Sequence, residues 1–293
     1  MKHPSLLQRG IRKFNKTLSS FVFLDQWVIM TAHGAQYDSL QWGLFRPLIP
    51  DKDRYWADPF VVEKDHLYYI FAEEKIYATG RGRIICLTLD SQGKVQSNQV
   101  VLERPYHLSY PFIFEYQDET YLLPECAQLQ SIELYRCVRF PNQWEFVKTL
   151  MTGIYAVDAT LFEHEHKWWM FVNVKGGEGG SSLDSLHLYS AESPLADEWR
   201  PHPCNPVVKD IRSARPAGRI IERGGVVIRP SQDSSRRYGY ALNFNRIVKL
   251  DENEYEEVLD STLRPAGPSI IATHTINQAG DLTVIDAILR RWK

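Results

Sequence analysis

The 293-residue chain sets 34 basic against 36 acidic side chains, a formal charge of −2, so its electrostatics supply no attraction for a nucleic-acid partner. Its four cysteines, Cys86, Cys126, Cys137 and Cys204, form no CxxC pair and sit among strand-like residues, which fits buried reduced thiols rather than a metal cage. No apolar run reaches the ~18 residues of a spanning helix, while 12% aromatic residues, eight Trp and fifteen Tyr among them, supply a large core and leave rings for stacking on a ligand.

Residues 1–20 come first as a basic amphipathic segment. Leu7, Ile11, Phe14 and Leu18 follow helical spacing, with Arg9, Arg12, Lys13 and Lys16 between them. The pattern predicts a short helix whose residues 5–19 suit either an anionic membrane surface or packing on the domain. The next apolar run is interrupted by Asp25 and Gln26 and no cleavage site follows, so a cytoplasmic location is expected, with residues 5–19 acting at the inner face of the membrane. Residues 21–30 and 42–45 then read as strands that precede the repeats and can close a ring with the last of them.

Residues 21–293 are organised by a repeat. DPFVVEKDHLYYIFAEE begins at Asp58, YPFIFEYQDETYLLPEC at Tyr110, DATLFEHEHKWWMFVNV at Asp158 and RPAGRIIERGGVVIRPS at Arg215. In each, an apolar run meets a polar tip and a more aromatic run follows, which is the pattern of a hairpin. Further strand pairs are expected between the hairpins: 82–89 with 100–102, 132–138 with 144–150, 186–190 with the segment after Trp199, and 238–242 with 247–250. The acidic run 251–257 reads as a solvated turn. The repeat starts are 52, 48 and 57 residues apart, and four-stranded units at that period are propeller blades. A weaker fifth copy uses 272–276 and 281–286. The predicted fold is all-β, a five-bladed β-propeller with four-stranded antiparallel blades and a short N-terminal helix.

The first strand of a propeller blade lines the central channel, so the repeat starts converge on one mouth. That coordinate collects Asp58, Tyr110, Asp158, Arg215 and His274. Glu73, Glu125 and Asn173 each lie 15 residues after their repeat start, with Arg229, Gln232 and Asp233 in the corresponding part of the fourth blade. Carboxylates held together push one another's pKa apart, which lets one serve as acid while another serves as base or nucleophile, the requirement of glycosidic bond cleavage. Arg83 is a candidate partner for them and Trp56 a platform for stacking on a sugar. His164-Glu165-His166 resembles a metal triplet but aligns with the hairpin tips, so no metal and no cofactor is expected.

These stretches resemble the N-terminal domain of plant glucosamine inositolphosphorylceramide transferases and free-standing bacterial relatives. The resemblance rests on Ala57-Asp58-Pro59-Phe60, His107-Leu108-Ser109-Tyr110-Pro111, Pro124-Glu125, Phe140-Pro141 with Trp144, Trp168-Trp169, Arg215-Pro216-Ala217-Gly218, and Gln232-Asp233 with Tyr238-Gly239. In the plant proteins the sugar-transferring domain is a different, C-terminal one, so that activity does not come with the resemblance. More distantly the architecture looks like the five-bladed furanosidases of the glycoside hydrolase 43 and 32 type. That likeness implies Asp58 as base or nucleophile and Asp158 as the second, orienting aspartate. Its acid belongs in the fourth blade, where this chain has Arg215, and Glu125 is the substitute. An arginine there implies an anionic group on a sugar or donor. His107, Tyr110 and His274 would place hydroxyls, and Arg229 would assist Arg215. The expected function is transfer or hydrolysis of a furanose or acidic sugar in bacterial surface glycan synthesis, acting on a glycan or an activated sugar donor. The alternative is a glycan-binding scaffold that works with a separate glycosyltransferase.

Overall fold

Apolar runs joined by turns that cannot continue a strand fold back on themselves, and the computed structural model, which describes residues 22–177 and 179–293, shows five antiparallel sheets in a ring. The basic N-terminal segment and the helix expected there lie outside the described residues. Among the described residues no helix is long and apolar enough to cross a membrane.

The first blade runs from its inner strand Arg54–Lys64 through Leu67–Ile76 and Arg81–Leu89 to Val95–Leu102, and the second runs from Ser109–Tyr116 to Gln143–Thr152. The third begins at Ala156–His164 and ends in the two-residue strand Arg200–Pro201. The fourth begins late, at Ile221–Arg223, with Pro216 joined to Ser231 only by an isolated bridge. Ala241–Leu250 is one unbroken strand there, paired with Tyr255–Leu263. This corrects the sequence expectation of a strand pair within 238–250; residues 251–254 of the acidic run form the turn, as expected, and 255–257 begin the outer strand. Residues 42–44 form a single 3-10 turn rather than a strand, and Arg46–Leu48 is the strand that follows.

The ring is closed by the fifth blade. Phe23–His33 pairs along its full length with Leu282–Trp292 and carries Arg46–Leu48 outside it. The inner position of this blade is shared by Ile270–Ala272 and Ile276–Ala279, both paired with Leu282–Trp292, and the gap between them holds His274.

Alternation sends successive side chains to opposite faces of each sheet, so the apolar sets meet between neighbouring blades. Ile29, Val61, Ile70 and Val284 fill the seam between the fifth and first blades, and Val28, Phe244 and Ile285 fill the seam between the fourth and fifth. Trp168 packs toward the second blade and Trp169 toward the fourth, as strand alternation requires. All four cysteines are free thiols, Cys86 and Cys126 buried but Cys204 exposed, against the expectation that all four are buried.

Candidate functional site at the channel mouth

The inner strands of the first three blades share one irregularity. Their ladders skip between Ala57 and Phe60, Ser109 and Phe112, and Val157 and Thr160. At the skipped position Asp58 (φ 52°), Tyr110 (φ 42°) and Asp158 (φ 56°) adopt left-handed backbone. Each is a bulge that re-aims one residue, and a non-glycine held there costs roughly 1–3 kcal/mol that the surroundings must offset.

At Asp58 the offset comes from a residue that sequence reasoning did not select. Asp286, fully buried in the last strand, accepts hydrogen bonds from the backbone N–H groups of Asp58 (3.0 Å), His274 (2.9 Å) and Thr275 (3.0 Å). It also receives His274 Nδ1 at 2.6 Å. Burial pulls the imidazole pKa down, but the Asp286 carboxylate outweighs that and pushes it up to about 9. His274 is therefore cationic at neutral pH, 3.8 Å from Asp58 Oδ1. Asp58 itself accepts from Thr275 Oγ1 (2.9 Å) and from the Tyr110 N–H (3.3 Å). Burial pushes its carboxyl up to about 6; His274 opposes this, while Asp158 and Asp286 add to it. Asp58, His274 and Asp286 each bring one possible ligand atom within 4.8 Å of the others, a spacing that could hold a metal ion although none was expected from the sequence. A signal for Asp286 was present, since a carboxylate inside an apolar central strand stays buried only with partners.

Across the mouth, Asp158 holds Arg215 in a fork, Nε to Oδ2 at 2.5 Å and Nη2 to Oδ1 at 3.2 Å, and also accepts from Gln232 Nε2 at 2.9 Å. Arg215 Nη2 lies 3.7 Å from Glu125 Oε2, an oxygen that no donor reaches. The neighbour of the Glu125 carboxyl is another acceptor, Asp158. Burial first, and then the Asp158 charge, hold Glu125 well above the ordinary carboxylate range, with Arg215 opposing. Glu125 accordingly carries a proton shared toward Asp158.

A further carboxyl stands on the second strand of the first blade. Glu73 accepts from the Tyr55 hydroxyl at 3.1 Å and lies 3.4 Å from His107 Nε2. Nδ1 of His107 accepts from the Gly82 N–H at 2.8 Å, which puts the ring proton on Nε2, facing Glu73. Burial, reinforced by Lys75, pulls His107 down to about 4, so it is neutral. Burial and then the Asp58 charge push Glu73 up to about 8. Only glycine fits at position 82, because a Cβ there would stand 2.5 Å from the Leu108 carbonyl and 2.7 Å from both Glu73 and His107.

Over these groups lies the loop 234–240. Tyr238 is 44% exposed, faces the Arg215 guanidinium (5.2 Å) and meets His274 edge-on (5.4 Å). Trp27 stacks on the other face of His274 at 4.1 Å.

The structure thus gathers Asp58, Glu73, His107, Glu125, Asp158, Arg215, Gln232 and His274 around one mouth. Asn173 takes the register place of Glu73 and Glu125, fully buried, with both side-chain polar atoms unpaired. Other expected site residues lie elsewhere. Tyr110 is fully buried, and its hydroxyl bonds Thr160 (2.8 Å) and the Gly218 N–H (2.7 Å), so it plugs the channel instead of meeting a ligand. Arg229 points outward into an ion pair with Glu257 at 2.6 Å. Asp233 caps the Ser235 N–H and lines a groove on the outer part of the fourth blade. Arg83 pairs with Glu74, to which the Trp56 indole also donates, and Trp56 packs into the seam between the fifth and first blades. The rings that border His274 at the mouth are Tyr238 and Trp27, whose places depend on contacts between distant blades.

The family described as glucosamine inositolphosphorylceramide transferase 1, N-terminal, matches residues 50–265. Glucosamine inositolphosphorylceramide transferase 1 of Oryza sativa subsp. japonica is 33% identical over 205 residues, which are 69% of this chain but 27% of the rice protein. The Arabidopsis thaliana counterpart is likewise 33% identical over 69% of this chain and 26% of its own length. The chain therefore spans about a quarter of these relatives. Among solved structures, the catalytic domain of the Coprinopsis cinerea GH62 alpha-L-arabinofuranosidase superposes with a TM-score of 0.60 at 12% identity, covering 90% of this chain and 97% of that one. The family 117 glycoside hydrolase Zg3597 of Zobellia galactanivorans gives 0.58 at 11% identity over 90% of each chain. At that identity the likeness is one of fold.

Proposed function

Since the chain belongs to the glucosamine inositolphosphorylceramide transferase N-terminal family, we propose that it is a carbohydrate-active enzyme which transfers or hydrolyses a glycosyl unit at the channel mouth, in the synthesis of a bacterial surface glycan. The observation that carries the reading is the difference between two neighbouring carboxyls. Glu125 is held protonated beside Asp158, while Asp58 ionises at about 6 and is a carboxylate at neutral pH. One acid and one base in a single buried cluster is what acid–base cleavage of a glycosidic bond requires.

In this mechanism the Glu125 proton passes to the leaving-group oxygen as the anomeric bond breaks. Asp58 either takes the proton of the attacking hydroxyl or attacks the anomeric carbon itself. Asp158 keeps the proton on Glu125 before the reaction and, through its fork with Arg215, fixes the fourth blade against the third. Because Asp158 neutralises Arg215, the site suits a neutral glycosyl unit, a furanose, better than an acidic one. Tyr238 and Trp27 supply the faces on which the sugar stacks.

Assaying a panel of aryl furanosides and nucleotide-activated sugars tests this. Glu125→Gln is expected to lose 10²–10⁴-fold in turnover on substrates with poor leaving groups and far less on those with good ones. Asp58→Asn is expected to lose turnover on both while still binding. Binding across the panel without turnover by the native protein would leave the scaffold reading in its place.

A further inference from the structure

The channel contains a second guanidinium, half-buried, at the end opposite the mouth. Arg219 extends from the fourth blade across the axis, where Nη1 donates to the Val61 carbonyl of the first blade (3.1 Å) and Nη2 to the Ile113 carbonyl of the second (2.6 Å). Its flat face lies 5.4 Å from the Phe60 ring centroid and 5.9 Å from that of Phe112. All four partners are neutral. Arg215 and Arg229 are each held by a carboxylate, but among the described residues none lies within 4.0 Å of Arg219. Burial accordingly lowers its pKa to about 10.

Beside this charge opens a cavity of about 300 Å3 between the fourth and fifth blades, lined by Arg219, Tyr37, Asn277, Gln278, Thr283 and Ile220 among others. It lies toward the hairpin tips, since Gly280, at the tip of the last hairpin, also borders it. Two of the five guanidinium N–H groups are used by the carbonyls. The Tyr37 hydroxyl has no partner among the described residues, and Gln278 donates only to the Gly280 carbonyl, at 3.2 Å. A carboxylate at the cavity's edge, that of Glu63 against Gly280, is exposed and makes no ion pair with Arg219.

An unneutralised guanidinium with unused N–H groups, lining a cavity of ligand size that also carries Tyr37, Asn277 and Gln278, suits a planar or tetrahedral oxyanion. We infer that this cavity binds a phosphate or carboxylate group, as a free ion or as the end of a larger ligand, with Arg219 as its counter-charge and Tyr37 and Gln278 as additional donors. The site is separate from the mouth, with the Tyr110 plug between them, so Asp58→Asn should bind the oxyanion as the native chain does.

The test titrates the full chain with sodium phosphate and with sodium acetate against sodium chloride at matched ionic strength, read by calorimetry and by melting temperature. A saturable one-site response to phosphate, to acetate or to both, absent with chloride, is expected, and the pair of arms assigns the anion class. Tyr37→Phe and Gln278→Ala should each weaken binding about 3- to 10-fold, and Arg219→Gln should abolish it. Should Arg219→Gln fail to fold, Arg219→Lys keeps the charge without the fork and should weaken binding at least tenfold. Responses to both oxyanions no different from chloride, or an affinity unchanged in Tyr37→Phe, Gln278→Ala and Arg219→Lys together, would overturn the assignment and leave Arg219 as a brace between blades.

Discussion

Glu73 is buried, borders Asp58 and has its pKa raised from 4.5 to about 8. Between those values the folded chain keeps a proton that the unfolded chain has lost, so this carboxyl subtracts stability as pH rises through the window. Glu73→Gln removes that dependence while leaving an oxygen for Tyr55 and His107. The expected outcome is equal denaturation midpoints near pH 4.5 and a variant more stable by about 2–4 kcal/mol at pH 8.5; an advantage that does not change with pH would show that the carboxyl is not held protonated. His274 works in the same sense at higher pH. Its raised pKa adds stability that is fully present below 6.5 and is lost as pH rises through about 9. Asp58, Glu125, Asp158 and Arg215 were legible in the sequence because repeat alignment assigns one residue per blade to the mouth. Tyr238 was not, because its place is set by a loop folded across two blades, and Asp286 showed only as a carboxylate inside an apolar strand, its role being set by the backbone N–H groups it satisfies. Trp56 and Arg229 were misplaced for a related reason: alignment fixes a residue's height along the channel but not the side of the sheet from which its polar atoms find partners.

Strand order and hairpin positions were legible because period-two alternation ends at the same place in every copy. The four tips are two-residue turns with both residues at positive φ: Asp65 and His66, Gln117 and Asp118, Glu165 and His166, Gly224 and Gly225. That is the turn whose twist matches the flanking strands, and Asn-Gly fits it best. The double change Glu165→Asn with His166→Gly is expected to raise stability by about 1 kcal/mol in a urea melt and leave ligand binding unchanged. A loss of binding would mean that the His164-Glu165-His166 tip has a role beyond turning the chain. Less legible were the short elements of the fourth blade, whose inner strand is three residues long because residues 215–219 leave the ladder to reach Asp158, Tyr110 and the channel axis. There only the backbone bonds of the Pro216–Ser231 bridge remain of the ladder, side-chain hydrogen bonds hold the rest, and alternation leaves no trace.

Over the whole molecule, distant parts of the chain are brought together twice. Phe23–His33 closes the ring against Leu282–Trp292, as the early strand-like segment suggested, and the mouth is assembled from segments more than 200 residues apart, with Asp58 against Thr275 and Asp286. The ring therefore sets the protonation pattern, since the burial that raises Asp58, Glu73 and Glu125 comes from neighbouring blades. The most direct measurement is a 13C carboxyl NMR titration of the native chain, with Asp58→Asn and Glu125→Gln to assign the resonances, and it requires no knowledge of the sugar. The structure predicts an Asp58 carboxyl that titrates near pH 6 and a Glu125 carboxyl that titrates well above the ordinary carboxylate range. If both carboxyls titrate below pH 5, the mouth holds no acid beside its base and the proposed chemistry is contradicted.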